Sequence, residues 1–377
     1  MSQDGGRVLM IFVEPTPYIL ALANTIRSQP GWTIEIRFLG RDLSQQWKLT
    51  DANETGSLLP SAFWQAWKNL SALLDRRRID ILHLPGWGHP LLLVALVVAS
   101  RRGIRVFVES DTPSFGDEPA GIKSLVKALF YPWLFRHPTG FLPGGTRQAE
   151  YLKRYGVSDD RIRLAHMTVD VVHIRGVVEQ ARLAGTREAI RARWGVGDAT
   201  ILFVFVGRLE SFKGMSYLLE SFRELREHHA DVALMVVGEG SMRETVAMAA
   251  QRDAAILGVG RLSGDEVYKH YAAADVLILP SSREPWGLVV NEAMAAGLPV
   301  IVSDRVGSAT DLVEGRGTGI VIPHDDVAAL TSAMATLAQD QLGRERMAQA
   351  AKALIAQWDM RNWAKNIVSA WQTLRKK

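Results

Sequence analysis

The feature that most restricts the fold of this chain is an alternation that runs through it twice. Short, nearly continuous apolar and β-branched runs, RVLMIFV (7–13), TIEIRFL (33–39), IDILHLP (79–85), IRVFVES (104–110) and GFLPGG (140–145), alternate with stretches of helical spacing such as 16–28 and 61–78. Strands buried on both faces of a parallel sheet read this way. Their alternation with helices builds a doubly wound α/β sheet. The plan restarts at TILFVFVG (200–207) and continues through VALMVVGEG (232–240), AAILGVG (254–260), DVLILPSS (275–282), PVIVSD (299–304) and GIVI (319–322). Helices are expected between them, over 214–228, 241–252, 264–273, 287–296, 308–314 and 325–338. The simplest account is two Rossmann-like domains in series, 1–175 and 176–359, with the boundary inside 171–199, where a strand-rich reading gives way to a helical one. The last stretch, 360–377, reads as an amphipathic helix with Trp363, Ile367 and Trp371 near one face.

A length of 377 residues suits two domains of ordinary size. The chain has no cysteine, which excludes disulfides and thiolate metal sites. Glu14, Pro15 and Pro17 interrupt any signal-peptide run at the N-terminus. LLLVALVVAS (91–100) is shorter than the roughly 20 residues a membrane span needs and reads as a buried helix. The expected compartment is the cytoplasm, with the inner face of its membrane as a further place. The net charge of +4 gathers in the first half, where residues 1–175 hold 21 Lys and Arg against 16 Asp and Glu. Its clusters, Arg76-Arg77-Arg78, Arg101-Arg102 and Lys153-Arg154, read as solvated helix ends. No nucleic-acid module accompanies them. Two aromatic stretches, 61–78 and 121–137, combine Trp, Phe and Leu with cations. Such a stripe either faces the core or lies on an anionic membrane surface.

Chemistry concentrates in two segments. VGRLESFKG (206–214) joins a strand to a helix, where open α/β sheets bind ligands. Gly207 and Gly214 permit close backbone approach and an unusual turn. Arg208 offers a phosphate-gripping fork and Lys213 a mobile point charge. Two such contacts, at about 1.5–3 kcal/mol each, would hold a diphosphate. The second segment is SSREPWGLVVNEAMAAGLPV (281–300). Its helix is expected to start near Gly287, so the amides of Trp286, Gly287 and Leu288 are free donors at a positive dipole end. Glu284, ahead of the helix, can accept from sugar hydroxyls. Glu292 lies one turn beyond Leu288 and can take a ribose diol. The plainer reading makes Glu284 a dipole-complementing acid and Glu292 a solvated face residue. VVGEGSMRE (236–244) has Arg243 where a dinucleotide fingerprint needs its third glycine, which disfavours a nicotinamide enzyme.

FVGRLESFKGMSYLLESF, LMVVGEGSMRE, GTGIVIPHDD and the whole of 257–304 make the second half similar to the donor domain of retaining glycosyltransferases of family 4. That resemblance implies the GT-B architecture, two Rossmann-like domains facing across a cleft, with the terminal helix crossing back to the N-terminal, acceptor-binding domain. It implies that Arg208 and Lys213 bind the diphosphate of a nucleotide-sugar donor, expected to be a UDP- or GDP-sugar. No metal or other cofactor is expected, since these cations and the helix amides can compensate the diphosphate charge and no Asp-x-Asp calls for a cation. The resemblance implies that Glu284 touches the transferred sugar, that Glu292 holds the ribose, and that the base lies near Arg261 and Leu262. The acceptor it implies is a glycan, glycolipid or other hydroxyl compound, in surface polysaccharide, lipopolysaccharide or glycolipid assembly. The first half departs from the family pattern. VEPTPYILALA (13–23) replaces a glycine-rich loop, and Glu109, Ser110 and Asp111 stand where many members carry a histidine. Asp111 is the candidate to orient or deprotonate the acceptor, or is a loop cap; His83 is a second candidate, or a core histidine. Two rival functions share the architecture: a nucleotide-sugar epimerase and a catalytically silent binding or scaffold protein.

Overall fold

The computed structural model describes residues 5–40, 58–75, 77–115 and 121–374. Arg76 of the basic triplet and the last three residues of 360–377 lie outside them. The chain divides into two compact units, Met1–Met167 with Met360–Lys377, and Thr168–Asp359.

In the first unit the order is β1 (Gly6–Phe12), α1 (Pro17–Arg27), β2 (Trp32–Phe38), α2 (Phe63–Leu73), β3 (Ile81–Leu84), α3 (Pro90–Arg101), β4 (Arg105–Ser110), α4 (Ile122–Leu134), β5 (Gly140–Pro143) and α5 (Thr146–Arg154). The strands form a parallel sheet in the order β2-β1-β3-β4-β5. Its central strand β3 is buried at every position, the mark of a strand covered on both faces. Pro17 opens α1 with its φ preset, and Thr16 Oγ1 accepts from the Ile19 amide. The apolar run 91–100 becomes α3, which buries Leu91, Leu92, Ala95, Leu96 and Ala99. Among the described residues no helix is long and apolar enough to cross a membrane.

The second unit begins earlier than the sequence pattern suggests. Residues 168–175, expected with the first domain, belong to the second. The β-branched run at 171–174 looks like strand, but the Asp170 carboxylate accepts from the His173 amide at 3.0 Å and starts α6 (Val171–Leu183) there. Ile174, Val178 and Ala181, at i, i+4 and i+7, form its buried face. There follow α7 (Thr186–Arg193), β6 (Ile201–Val206), a short 3-10 turn (Ser211–Lys213), α8 (Met215–His228), β7 (Val232–Val237), α9 (Arg243–Arg252), β8 (Ile256–Gly260) and α10 (Asp265–Ala273). Then come β9 (Val276–Leu279), α11 (Leu288–Ala296), β10 (Val300–Ser303), α12 (Ala309–Leu312), β11 (Gly319–Ile322), α13 (Val327–Gln339) and α14 (Gln341–Ile355). The sheet is parallel, in the order β11-β10-β9-β6-β7-β8. Connections thus leave to opposite sides of β6 and β9, which makes the ends of these two strands the switch point.

The chain then returns to the first unit as α15 (Met360–Thr373). Trp363, Ile367 and Trp371 are fully buried there against Ile19, Leu22, Phe38 and Phe107. Trp371 lies 5.1 Å from the ring of Trp32.

Candidate functional site

The cation loop and the acid loop are joined directly. β6 ends at Val206 and β9 at Leu279, so the loops that follow them leave from neighbouring strands. The carbonyl of Phe212 accepts from the Ser282 amide at 2.8 Å and from its hydroxyl at 3.2 Å. Gly214, with φ of 77°, makes the junction possible: a Cβ there would stand 2.2 Å from the carbonyl oxygen of Pro280. Held this way, Lys213 Nζ donates to Glu284 Oε2 in an ion pair whose two side chains are only 13% and 11% exposed. Arg208 stays exposed, its guanidinium 5.7 Å from the centre of the Phe212 ring, and Lys213 Nζ lies 5.8 Å from the same ring. Phe212 thus serves as a cation–π support for both charges.

Glu284 is braced from the other side. Its amide donates to the Arg305 carbonyl at 3.1 Å, and its carbonyl accepts from the Gly307 amide at 2.9 Å. Gly287 then caps α11 in the left-handed region, with φ of 90°, and no side chain caps the helix. A Cβ at Gly287 would press on Leu279, Val306 and Glu284 at 3.0–3.3 Å. Leu288 opens the helix, so its amide lies among the unpaired first-turn donors at the positive dipole end, beside the paired Lys213 and Glu284.

Trp286 reaches the site only through its backbone. Its indole is buried, stacks on Trp358 at 5.6 Å and 22°, and donates to Asn291 Oδ1 at 2.9 Å. Asn291 Nδ2 donates to Thr168 Oγ1 at 3.3 Å, and the Thr168 hydroxyl donates to the Trp358 carbonyl. The mouth of α11 is therefore tied to both ends of the second unit, Thr168 and Trp358.

Glu292 lies half-buried behind the same mouth. Tyr271 donates its hydroxyl to Glu292 Oε2 at 3.0 Å. Burial pushes the Glu292 carboxyl up to about 7, against the lowering effect of that hydrogen bond. Burial, with the Glu292 charge next, also holds the Tyr268 hydroxyl above its usual range. Arg261 lines a cavity of about 850 Å³ with Gly238, Glu239, Arg243 and Gly260, and the wall includes Leu209, next to Arg208. Leu262 follows it, half-buried. Gly207 follows β6, its amide donating to the Val237 carbonyl at 3.0 Å.

The first unit treats its candidates differently. His83 is fully buried between Phe12 and Trp371, with ring centres 5.9 and 5.6 Å away, and its Nε2 is 2.8 Å from Glu109 Oε1. Nδ1 has no partner, which puts the ring proton on Nε2, donating to Glu109. His83 is thus a core histidine that orients a carboxylate, and the acceptor role considered for it is withdrawn. Asp111 follows β4 on the surface; desolvation by the groups around its carboxyl holds it above the usual range, against the lowering effect of a backbone hydrogen bond and with a smaller push from the Glu109 charge. Phe212, Tyr271, Asn291 and Thr168 were not anticipated. The aromatic between the two cations of RLESFK was the one local signal; the others work through distant contacts.

Comparison with known proteins follows this geometry. The family described as Glycosyl transferases group 1 matches residues 186–354, and the Glycosyl transferase 4-like domain matches residues 22–168. A glycosyltransferase of Methanocaldococcus jannaschii is 36% identical over 129 residues, 33% of this chain and 33% of that protein. The GDP-mannose-dependent alpha-(1-6)-phosphatidylinositol monomannoside mannosyltransferase of Mycolicibacterium smegmatis is 32% identical over 191 residues, 47% of each. The chain therefore spans a third to a half of the length of these curated relatives. Among solved structures, the Anabaena protein HepE in complex with UDP superposes with a TM-score of 0.74 at 15% identity, over 98% of this chain and 100% of that one, a likeness of fold.

Proposed function

Since the chain belongs to the glycosyltransferases of the GT-B fold, with one group 1 domain and one 4-like domain, we propose that it transfers a sugar from a nucleotide diphosphate sugar to a hydroxyl acceptor with retention, as a family 4 enzyme. The observation that carries this reading is the Lys213–Glu284 pair beside the uncapped mouth of α11. The UDP named for the Anabaena structure and the GDP-mannose named for the mycobacterial relative make these the first donors to try.

The arrangement suggests an exchange of partners. Without donor, Lys213 is neutralised by Glu284. An arriving diphosphate competes for Lys213 and draws in Arg208 and the first amides of α11. Glu284 then loses its cation and can accept from the hydroxyls of the transferred sugar. Glu292, with one hydroxyl donor already on it, has acceptor capacity left for a ribose diol, and Arg261 stands at the cavity proposed for the base. In a retaining transfer without an enzyme nucleophile, the acceptor oxygen bonds to the anomeric carbon as the carbon–phosphate oxygen bond breaks on the same face. The acceptor proton passes to the departing diphosphate. The residues' task is to stabilise charge growing on that diphosphate, which preorganised donors do without reorganising. The first unit is proposed to hold the acceptor, with Asp111 orienting its hydroxyl.

A thermal-shift panel of UDP-, GDP- and ADP-sugars, followed by product analysis with and without acceptor, tests this. One nucleotide class should raise the unfolding temperature and be consumed with its anomeric configuration kept in the product. Epimerised sugar would assign an epimerase, and binding with no turnover a silent binding protein. Silence across the panel would remove the donor site itself.

A further inference from the structure

On the first unit, α4 turns its apolar side chains outward. Ile122 is 83% exposed, Leu129 73% and Leu125 62%, and Val126, Phe130 and Trp133 are exposed as well. At 3.6 residues per turn these six fall within an arc of about 140°, one continuous face. The opposite side of the helix borders a cavity of about 380 Å³, lined by Ser124, Ala128, Pro132, Arg154, Tyr155 and Gly156. The contrast is with α3, which buries Leu91, Leu92, Ala95, Leu96 and Ala99 and exposes only Val94 among its large apolar side chains. Of the two amphipathic stretches in the sequence, the one forming α2 buries Ala66 and Leu70 and exposes mainly Phe63 and Trp64. The face on α4 is the longer and the more exposed, and contiguous exposed apolar surface marks a place of interaction.

Charge selects the occupant. Between residues 119 and 149 the chain carries four Lys and Arg and no Asp or Glu. Lys127 lies about 60° beyond the apolar arc and turns onto Tyr151 at 3.5 Å, while Arg136 is exposed just beyond the helix. A second copy docked about a two-fold axis would set these cations against themselves. A specific protein partner would be expected to meet hydrogen-bonding anchors, whereas on this face only the Trp133 indole can hydrogen-bond. An anionic bilayer satisfies both features, taking the apolar side chains into its boundary and meeting cations with headgroup phosphates. We propose that α4 is an interfacial helix that lays the face of Ile122, Leu125, Val126, Leu129, Phe130 and Trp133 on an anionic phospholipid surface. This assignment rests on exposure and charge alone, so it stands or falls apart from the sugar-transfer reading.

The test is flotation of the full chain with phosphatidylcholine vesicles that contain phosphatidylglycerol, and with pure phosphatidylcholine vesicles. The chain should float with the anionic vesicles, less so at high salt, and poorly with the neutral ones. The double variant Leu125→Glu/Leu129→Glu should weaken flotation by about tenfold or more, since it places two charges at the bilayer boundary. Both side chains are exposed, so an unchanged thermal transition is expected and confirms that the variant folds. Absence of flotation with anionic vesicles, or equal flotation of the double variant, overturns the proposal. So does a dimer in sedimentation velocity that the same variant splits, which would assign the face to a second copy.

Discussion

The carboxyl ends of the two sheets carry similar residue types and use them in opposite ways. In the second unit Lys213 and Glu284 belong to different loops, meet at a glycine junction, and sit beside exposed Arg208 and the uncapped helix mouth. In the first unit His83 and Glu109 belong to adjacent strands and meet under Trp371 and Phe12, where the imidazole has no exposed surface. A charge pair between loops can exchange partners when an anion arrives. A pair locked between strands orients its own members and little else. Reachability, not residue type, separates a candidate ligand site from a core device.

The largest effect should come from breaking the reachable pair. Lys213→Ala removes the cation proposed to bind the diphosphate, and turnover should fall by on the order of 10²-fold or more, as for a lost oxyanion donor. Glu284→Gln should also lower turnover, and the double variant should cost less than the two losses combined, because each residue acts partly through the other. Steady-state kinetics on the four proteins of the cycle measure this. Full additivity would mean that the two residues do not work as a pair.

Next comes the tie behind the mouth. Trp286→Phe keeps a stacking ring on Trp358 but deprives Asn291 Oδ1 of the indole donor, and Thr168→Val removes the hydroxyl that accepts from Asn291 and donates to Trp358. Each should cost roughly 0.5–1.5 kcal/mol of stability, the net contribution of one intramolecular hydrogen bond. Urea unfolding should show the pair to be non-additive, and donor affinity should drop in both, since the tie sets the Trp286–Leu288 backbone. Unchanged donor affinity in both variants would reduce the tie to packing.

The strands were legible in the sequence because a strand buried on both faces is a continuous apolar run, as in β3, β7 and β9. Residues 171–174 misled because Val, His and Ile carry a strand-like signal that Asp170 overrides by capping a helix. The helix α14 went unseen because it buries only Gly343, Ala351 and Ile355, too thin a stripe to stand out. Of the candidate site, Arg208, Lys213, Glu284, Gly287 and Glu292 are suggested by local patterns of charge, glycine and helix position. Tyr271 could not, since a tyrosine in KHYAAAD gives no sign of a carboxylate 21 positions later. The ion pair itself spans 71 positions, so its members were legible and their pairing was not.

A smaller effect tests Glu292. Its carboxyl, raised to about 7 by burial, is mostly protonated below that pH in the empty site. A ribose diol donates to the ionised form, so donor binding should favour the carboxylate and weaken as pH falls through 7. The loss should approach about tenfold per pH unit once protonation is complete. Calorimetric titration across pH 5.5–8.5, at roughly half-unit steps, reads the slope. Glu292→Gln should bind more weakly at pH 8 and flatten the profile; a wild-type profile already flat would detach Glu292 from the ribose.

The smallest effect on ligand binding is expected in the first unit, where the contrast is sharpest. His83→Ala leaves the Glu109 carboxylate without its buried donor and opens space under Trp371, which should cost about 1–3 kcal/mol of folding stability. Donor affinity should stay within about twofold of wild type, because the imidazole has no surface to offer and its partners, Glu109, Phe12 and Trp371, all belong to the first unit. Asp111→Asn should do the reverse, sparing stability within about 0.5 kcal/mol as an exposed substitution, while raising the KM for acceptor. Thermal unfolding and separate donor and acceptor titrations on the same two variants distinguish the outcomes. A His83→Ala protein of normal stability with impaired acceptor kinetics would return the imidazole to the reaction and erase the distinction between the two sheet ends.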